Sequence, residues 1–305
     1  MSNFKRNDNS KKEDQYKAYF GHPELDALLG NTLLKGQIIF IEQDSPTTIY
    51  KQFLRYCIGN SFHKNHVSII FDEFCEQWAR IIPKKQVETL QHQEEKDVQN
   101  KIAWRYNQMQ QQFTIKNIDS SIYYLDLSKS ETEQTVENHL KLNNYNEINN
   151  LQQFLQIITK QYEKSLKTST DSTLKKLIIN DFWDKVPYNQ QELNQFLYSL
   201  KVLVRSSFML CVITLPERRT DLMQFCDFYI TITQLFGNKE FSDFQGMIKF
   251  DKVGWSGSLK QVQLDNDKWG IKITQKSLKI EQLYETAIED DSDEDQKNKN
   301  KIEQF

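Results

Sequence analysis

Residues 37–42 (QIIFIE) form a short apolar run between turn residues, and an amphipathic stretch follows with Ile49, Phe53, Tyr56 and Cys57 on one face. Residues 66–71 (HVSIIF) then supply a second apolar run. Strand, helix and strand with links this short make a βαβ unit. Strands joined that way run parallel, and a parallel sheet needs helices over both faces. The chain is therefore committed to an α/β fold.

The remainder extends this pattern. A short amphipathic helix through Leu25, Leu28 and Leu29 precedes the first strand. Strands are expected at residues 122–127, 175–181 (KKLIIND), 208–214 (FMLCVIT) and 226–235. A long helix carries Leu151, Phe154, Leu155, Ile158, Tyr162 and Leu166, and another carries Leu193, Phe196, Leu197, Leu200, Leu203 and Val204. Beyond Gly246 the pattern changes to short strands at 245–250, 259–264, 269–274 and 278–283, an antiparallel meander on the sheet edge. Residues 1–17 and 287–305 lack apolar period and read as disordered tails around one domain, 18–286. Within it, residues 83–112 read as a polar insertion, and the Asn-rich run 143–150 as solvated.

Charge is unevenly placed. The net charge is −3, but residues 281–305 hold nine acidic and three basic side chains, a net of −6, so the body carries about +3. A mildly basic body with an acidic tail is compatible with RNA. No run approaches the ~20 apolar residues of a membrane span, and the N-terminus lacks a secretory core. Cys57, Cys75, Cys211 and Cys226 are scattered, without the paired spacing of a zinc site, so reduced core thiols and no metal are expected. The chain reads as cytoplasmic or nuclear.

A nucleotide-binding α/β protein carries GxxxxGK[ST] between its first strand and helix. The glycines let backbone N–H groups wrap the phosphates, and the hydroxyl binds magnesium. Here residues 43–51 read QDSPTTIYK. There is no glycine, Pro46 removes a donor, Asp44 repels phosphate, and Lys51 comes too late. Asp44, Ser45, Thr47 and Thr48 thus mark a degenerate nucleotide-site region. Asp181 joins them, because the run Leu177-Ile178-Ile179-Asn180-Asp181 has the shape of a Walker B strand. With no P-loop hydroxyl to share a metal, Asp181 is expected to act as a helix cap or an edge hydrogen-bond partner, and Asp72-Glu73 stand where a general base could by position, at the end of the second strand. Catalytic residues are not identified.

Several segments together resemble one family. Residues 101–106 (KIAWRY) match a hexapeptide typical of the family of Elongator subunit four, the PAXNEB family. Residues 20–30 resemble its opening Gly…LDxLLGGG, with Asn31-Thr32 in place of the later glycines. Residues 203–207 (LVRSS) and 212–216 (VITLP) resemble its LLRSS…ITIP segment, and 244–248 (FQGMI) its FHGLL. The resemblance implies a RecA-like, mostly parallel sheet without a Walker A motif. It implies a hetero-hexameric ring with Elongator subunits five and six, which binds tRNA and supports carboxymethyl-type modification of the wobble uridine, such as methoxycarbonylmethyluridine. The chain would then be an accessory, non-catalytic subunit of a tRNA-modifying acetyltransferase complex. The iron–sulfur, S-adenosylmethionine and acetyl-CoA chemistry would lie on the larger catalytic assembly. No cofactor is expected on this chain, although ATP at a subunit interface is compatible with such a ring. Arg205, Arg218, Arg219, Lys101 and Arg105 are the candidate tRNA contacts. An active RecA-type NTPase of recombination or clock type is the alternative from another class, and a pure scaffold without RNA contact is a third.

Overall fold

The computed structural model describes residues 17–30, 33–43, 48–86, 122–132, 139–168, 173–235, 243–254 and 268–283. Among these residues eleven strands are found: β1 Ile38–Gln43, β2 Val67–Phe71, β3 Pro83–Lys85, β4 Leu125–Ser130, β5 Leu140–Asn143, β6 Lys175–Ile179, β7 Leu210–Leu215, β8 Phe228–Gln234, β9 Gly246–Lys252, β10 Lys268–Ile273 and β11 Leu278–Gln282. The helices are α1 Pro23–Leu28, α2 Ile49–His63, α3 Cys75–Arg80, α4 Leu151–Thr168 and α5 Gln190–Ser206. Nine strands form one sheet in the order β11-β10-β9-β8-β1-β7-β6-β2-β5. Pairs from β5 to β8 are parallel, and β8 through β11 pair antiparallel.

Burial explains the change of direction. β2, β6 and β7 are buried along their whole length, because helices cover both faces. One core packs α1 and α2 against Ile39, Ile41, Val212 and Ile230; the other packs α4 and α5 against Phe40, Ile69, Leu177 and Ile213. In β9 the buried residues alternate, with Ile248 and Phe250 inward and Lys249 and Asp251 on the other face. One-sided burial of this kind suits an antiparallel edge.

Several sequence expectations change in detail. Residues 83–85, placed in the polar insertion, form β3, which pairs with β4 in a separate two-stranded sheet. That ribbon lies on α2, with the Leu125 and Pro83 side chains directly over Gly59. The strand expected at 122–127 falls at 125–130, while α3 and β5 were not foreseen. The Asn-rich run is partly internal: Tyr145 and Ile148 are buried. The Asn143 amide donates to Ile70 O at 3.3 Å. On α4, Leu166 is exposed and Ser165 takes the buried place. The strand expected at 259–264 lies outside the described residues. All four cysteines are buried free thiols.

The first helix is fastened to the last strand. Pro23 opens α1, where its missing N–H costs nothing. His22 caps it, accepting from Leu25 N through Nδ1 at 3.3 Å. The other ring nitrogen, Nε2, lies 3.2 Å from Leu278 O on β11 and so carries the proton. Glu24 accepts from Ile280 N on the same strand. Asp26 turns back to accept from Phe20 N and Gly21 N at 2.6 and 2.7 Å. Beneath this segment the fully buried Lys176 of β6 donates to Phe20 O at 2.7 Å and Cys57 O at 3.1 Å.

Burial holds the His22 ring down at about 3, against the opposing pull of Leu278 O. The folded ring stays neutral where an unfolded histidine takes a proton. Its contribution is fully present above the unfolded value of about 6.5 and is lost as pH falls toward the folded one. His22→Gln should therefore destabilise the protein most at neutral pH. The stability gap between wild type and variant, from urea unfolding, should narrow by about 2 kcal/mol between pH 7 and pH 5. A gap independent of pH would show that the ring titrates normally.

Candidate functional site at the strand ends

In an open parallel sheet the C-terminal strand ends are where ligands bind. Here those ends are tied to one another. Asp72 follows β2, Asn180 and Asp181 follow β6, and Thr214 lies near the end of β7. Asn180 Nδ2 donates to Asp72 Oδ2 at 2.6 Å, and its Oδ1 accepts from the Thr214 hydroxyl at 2.8 Å. Asp72 Oδ2 also accepts from Trp78 Nε1 at 2.8 Å, and Oδ1 from Phe74 N at 2.9 Å. Thr214 Oγ1 accepts from Asp181 N at 3.0 Å, and Thr214 O from Trp183 Nε1 at 2.6 Å. The Tyr145 hydroxyl sits between Asn180 O and Phe71 O, at 2.7 and 2.9 Å. Asp72, Asn180 and Thr214 are all buried.

The acidic residues around this tie are partly shielded. Asp181 adopts φ 53°, a left-handed conformation that aspartate tolerates better than most residues. Burial raises its carboxyl, Lys185 opposes this, and Asp184, Asp72 and Glu73 add to the rise. Lys185 itself pairs with Glu73 at 2.7 Å on the rim. Tyr50 at the start of α2 is pushed up to about 12 by burial and by the nearby Asp181 and Asp72. Thr48 is exposed and stands at the N-cap of α2 without a side-chain capping bond. Asp44, Ser45 and Thr47 lie outside the described residues, as do Lys101 and Arg105. Asp72, Asn180 and Thr214 are thus committed to one another and to indole and backbone groups.

A second polar cluster lies where β1, β8 and β9 adjoin. Glu42 Oε2 accepts from the Tyr229 hydroxyl at 3.1 Å, and the Thr231 hydroxyl stands between Glu42 and Asp251. Arg218 and Lys249 reach Asp251 Oδ1 at 3.1 and 2.9 Å. Burial alone would raise the Asp251 carboxyl, but Thr231, Lys249 and Arg218 hold it below the ordinary value. Arg219 pairs with Asp221 at 2.9 Å and lies 5.9 Å from the Trp183 ring centre. Arg218 and Arg219 therefore share the loop after β7, at the strand ends, with the Arg218 side chain about half exposed. Arg205 is not with them. It closes α5 at the opposite edge of the sheet, 3.6 Å from Asp227.

Sequence reasoning found Asp181 and the position of Asp72 but missed Asn180, Thr214 and both tryptophans as one network. Their common signal is a polar residue closing an apolar strand, which identifies an end but not its partner. Thr214→Val keeps the volume and removes the hydroxyl that joins β7 to β6. It leaves Asn180 Oδ1 and Asp181 N–H without their partner, so a loss of about 1–3 kcal/mol in urea unfolding is expected. A change within about 0.5 kcal/mol would mean that the tie is dispensable.

Comparison with known proteins places the fold and the family. Elongator complex protein 4 of Xenopus laevis is 25% identical over 319 residues, spanning 87% of this chain and 78% of that protein. The mouse protein of the same name is 24% identical, spanning 87% and 75%. That of Dictyostelium discoideum is 22% identical, spanning 93% and 79%. A KaiC-like protein of Pyrococcus horikoshii has a TM-score of 0.51 at 10% identity, covering 87% of this chain and 98% of that one, a likeness of fold. The sheet is accordingly RecA-like, mostly parallel, with a C-terminal antiparallel extension. The PAXNEB protein family matches residues 12–304, and the chain belongs to that family.

Proposed function

We propose that this chain is the fourth subunit of Elongator, a non-catalytic member of a RecA-like ring that holds tRNA during wobble-uridine modification. The carrying observation is the family match along residues 12–304, together with relatives named Elongator complex protein 4 over most of the chain. The strand ends support a non-catalytic role. A phosphate-binding enzyme keeps polar groups there available to its ligand, whereas Asp72, Asn180 and Thr214 satisfy one another. The sequence between β1 and α2 has no glycine with which to wrap a phosphate. No helix among the described residues is long and apolar enough to cross a membrane.

Arg218 and Arg219 are the tRNA contacts this reading favours. They sit on a loop beyond a strand end, and each is already oriented by a carboxylate. Contacts to phosphate are largely independent of sequence and release counterions. Arg218→Glu with Arg219→Glu, in a ring assembled with the fifth and sixth subunits, should weaken tRNA binding. The dependence of log K on log salt should flatten by about 0.7–0.9 for each phosphate that is no longer neutralised. Arg218→Gln with Arg219→Gln, which adds no repulsion toward Asp251, should act in the same direction more mildly. An intact ring with unchanged affinity and unchanged salt slope would remove this loop from the tRNA path and favour a scaffold.

A further inference from the structure

The antiparallel margin of the sheet carries lysines that its own packing does not call for. Ile248 and Phe250 of β9, Trp269 and Ile271 of β10, and Leu278 and Ile280 of β11 all turn into the core shared with α2. The residues that alternate with them, on the other face, are Lys249 and Asp251, then Lys268, Gly270 and Lys272, then Lys279 and Glu281. In register, Lys249 stands opposite Lys268, and Lys272 opposite Lys279. Like charges directly across from one another destabilise a sheet. Asp251 offsets part of this through Lys249 at 2.9 Å, and Glu281 through Lys272 at 2.6 Å.

The balance on this face stays positive. Arg218 adds to it from the loop after β7, because it shares Asp251 Oδ1 with Lys249. The Lys249 and Lys272 side chains are about a third exposed, and Lys279 is exposed. An ammonium has three donors, so one carboxylate partner leaves donors for a second anion.

An aromatic ring lies among these cations. Phe244 covers Gly270 so closely that a Cβ at 270 would come within 2.3 Å of its Cδ1 and 2.4 Å of its Cε1. Only glycine leaves room for the ring there. Phe244 is part-exposed, and Lys272 Nζ stands 4.7 Å from its ring centre. Lys268 and Lys272 are four residues apart on β10, about 13 Å at ~3.3 Å per residue. Along the strand the order is therefore lysine pair, ring, lysine pair. An acidic peptide would meet the lysines and offer nothing planar to the ring. A nucleic-acid duplex keeps its bases stacked on each other, whereas unpaired bases stack on aromatic side chains while their phosphates meet cations.

We propose that this face of β9 to β11 binds an unpaired stretch of RNA, with a base stacked on Phe244 and flanking phosphates on Lys249, Lys272 and Lys279. Arg218 borders the face, so the loop after β7 and the lysines make one track. The inference rests on the tRNA-holding reading and adds that the part held here is single-stranded.

The test titrates the ring, assembled from the full chain with the fifth and sixth subunits, with tRNA, with a short oligouridine and with an RNA duplex. Lys249→Gln, Lys272→Gln and Lys279→Gln together should weaken tRNA and oligouridine roughly tenfold and flatten the dependence of log K on log salt by about 2, at ~0.7 per phosphate. Phe244→Leu, which still covers Gly270, should weaken both about fivefold or more with the salt slope unchanged, and Phe244→Tyr should keep binding near wild type. Circular dichroism and ring assembly should be the same in all variants. If the wild-type ring binds tRNA and these variants bind it with unchanged affinity and slope, the inference is overturned and the tRNA reading stands. A wild-type ring that binds neither tRNA nor oligouridine would overturn both. A triple variant that loses the duplex as much as oligouridine, with Phe244→Leu silent, would mark a general polyanion surface and overturn the assignment to unpaired RNA.

Discussion

Three polar residues at three strand ends set the geometry of the whole upper side of this molecule. Asp72 and Asn180 follow two apolar strands and Thr214 is the penultimate residue of a third, and their hydrogen bonds of 2.6 and 2.8 Å link the ends of β2, β6 and β7. Trp78 and Trp183 are anchored to the same residues, so the loops after β2 and β6 are carried by the tie as well. In a low-dielectric interior such a network has high stakes. Fully satisfied, it specifies one arrangement; with one member missing, the others are left buried and unpaired. At the ends of β2, β6 and β7 these polar groups are part of the framework.

The consequence is a division of labour across the sheet. Its parallel half is buried on both faces and supplies rigidity. Its antiparallel margin, β9 to β11, carries Lys249, Lys272 and Glu281 part-exposed beside the buried positions, while Thr231 and Asp251 are covered and tied to one another. The charged groups available for partners therefore lie on loops and edges, not in an enclosed pocket. An assembly subunit needs surfaces with fixed geometry, and a stiff sheet with polar margins provides them.

Much of this was legible in the sequence, for reasons that can be named. Buried parallel strands are continuous apolar runs, so β1, β2, β6 and β7 were recognisable within a residue or two, as was the helical period of α4 and α5. The meander showed itself as a change to short strands beyond Gly246. The misses have a common physical cause, which is that burial came from tertiary contact rather than local pattern. β5 is four residues long with one buried residue, and it depends on its pairing with β2. β3 is three residues of which two are lysines, and it depends on its pairing with β4 and its contact with α2. Lys176 read as an ordinary strand residue, yet its ammonium is wholly buried on two carbonyls. The strand-end tie was half legible: Asp72 and Asp181 were noticed by position, but side-chain pairing across 108 and 34 residues of sequence leaves no local trace.

Whether the chain is a ring-forming subunit is tested most directly by native mass spectrometry of the full chain expressed with the fifth and sixth Elongator subunits. A single hetero-hexamer with equal numbers of the three chains is expected, and no comparable assembly when this chain is left out. A stable monomer of this chain that ignores both partners, or a partner complex that forms unchanged without it, would show that the chain is not a ring subunit.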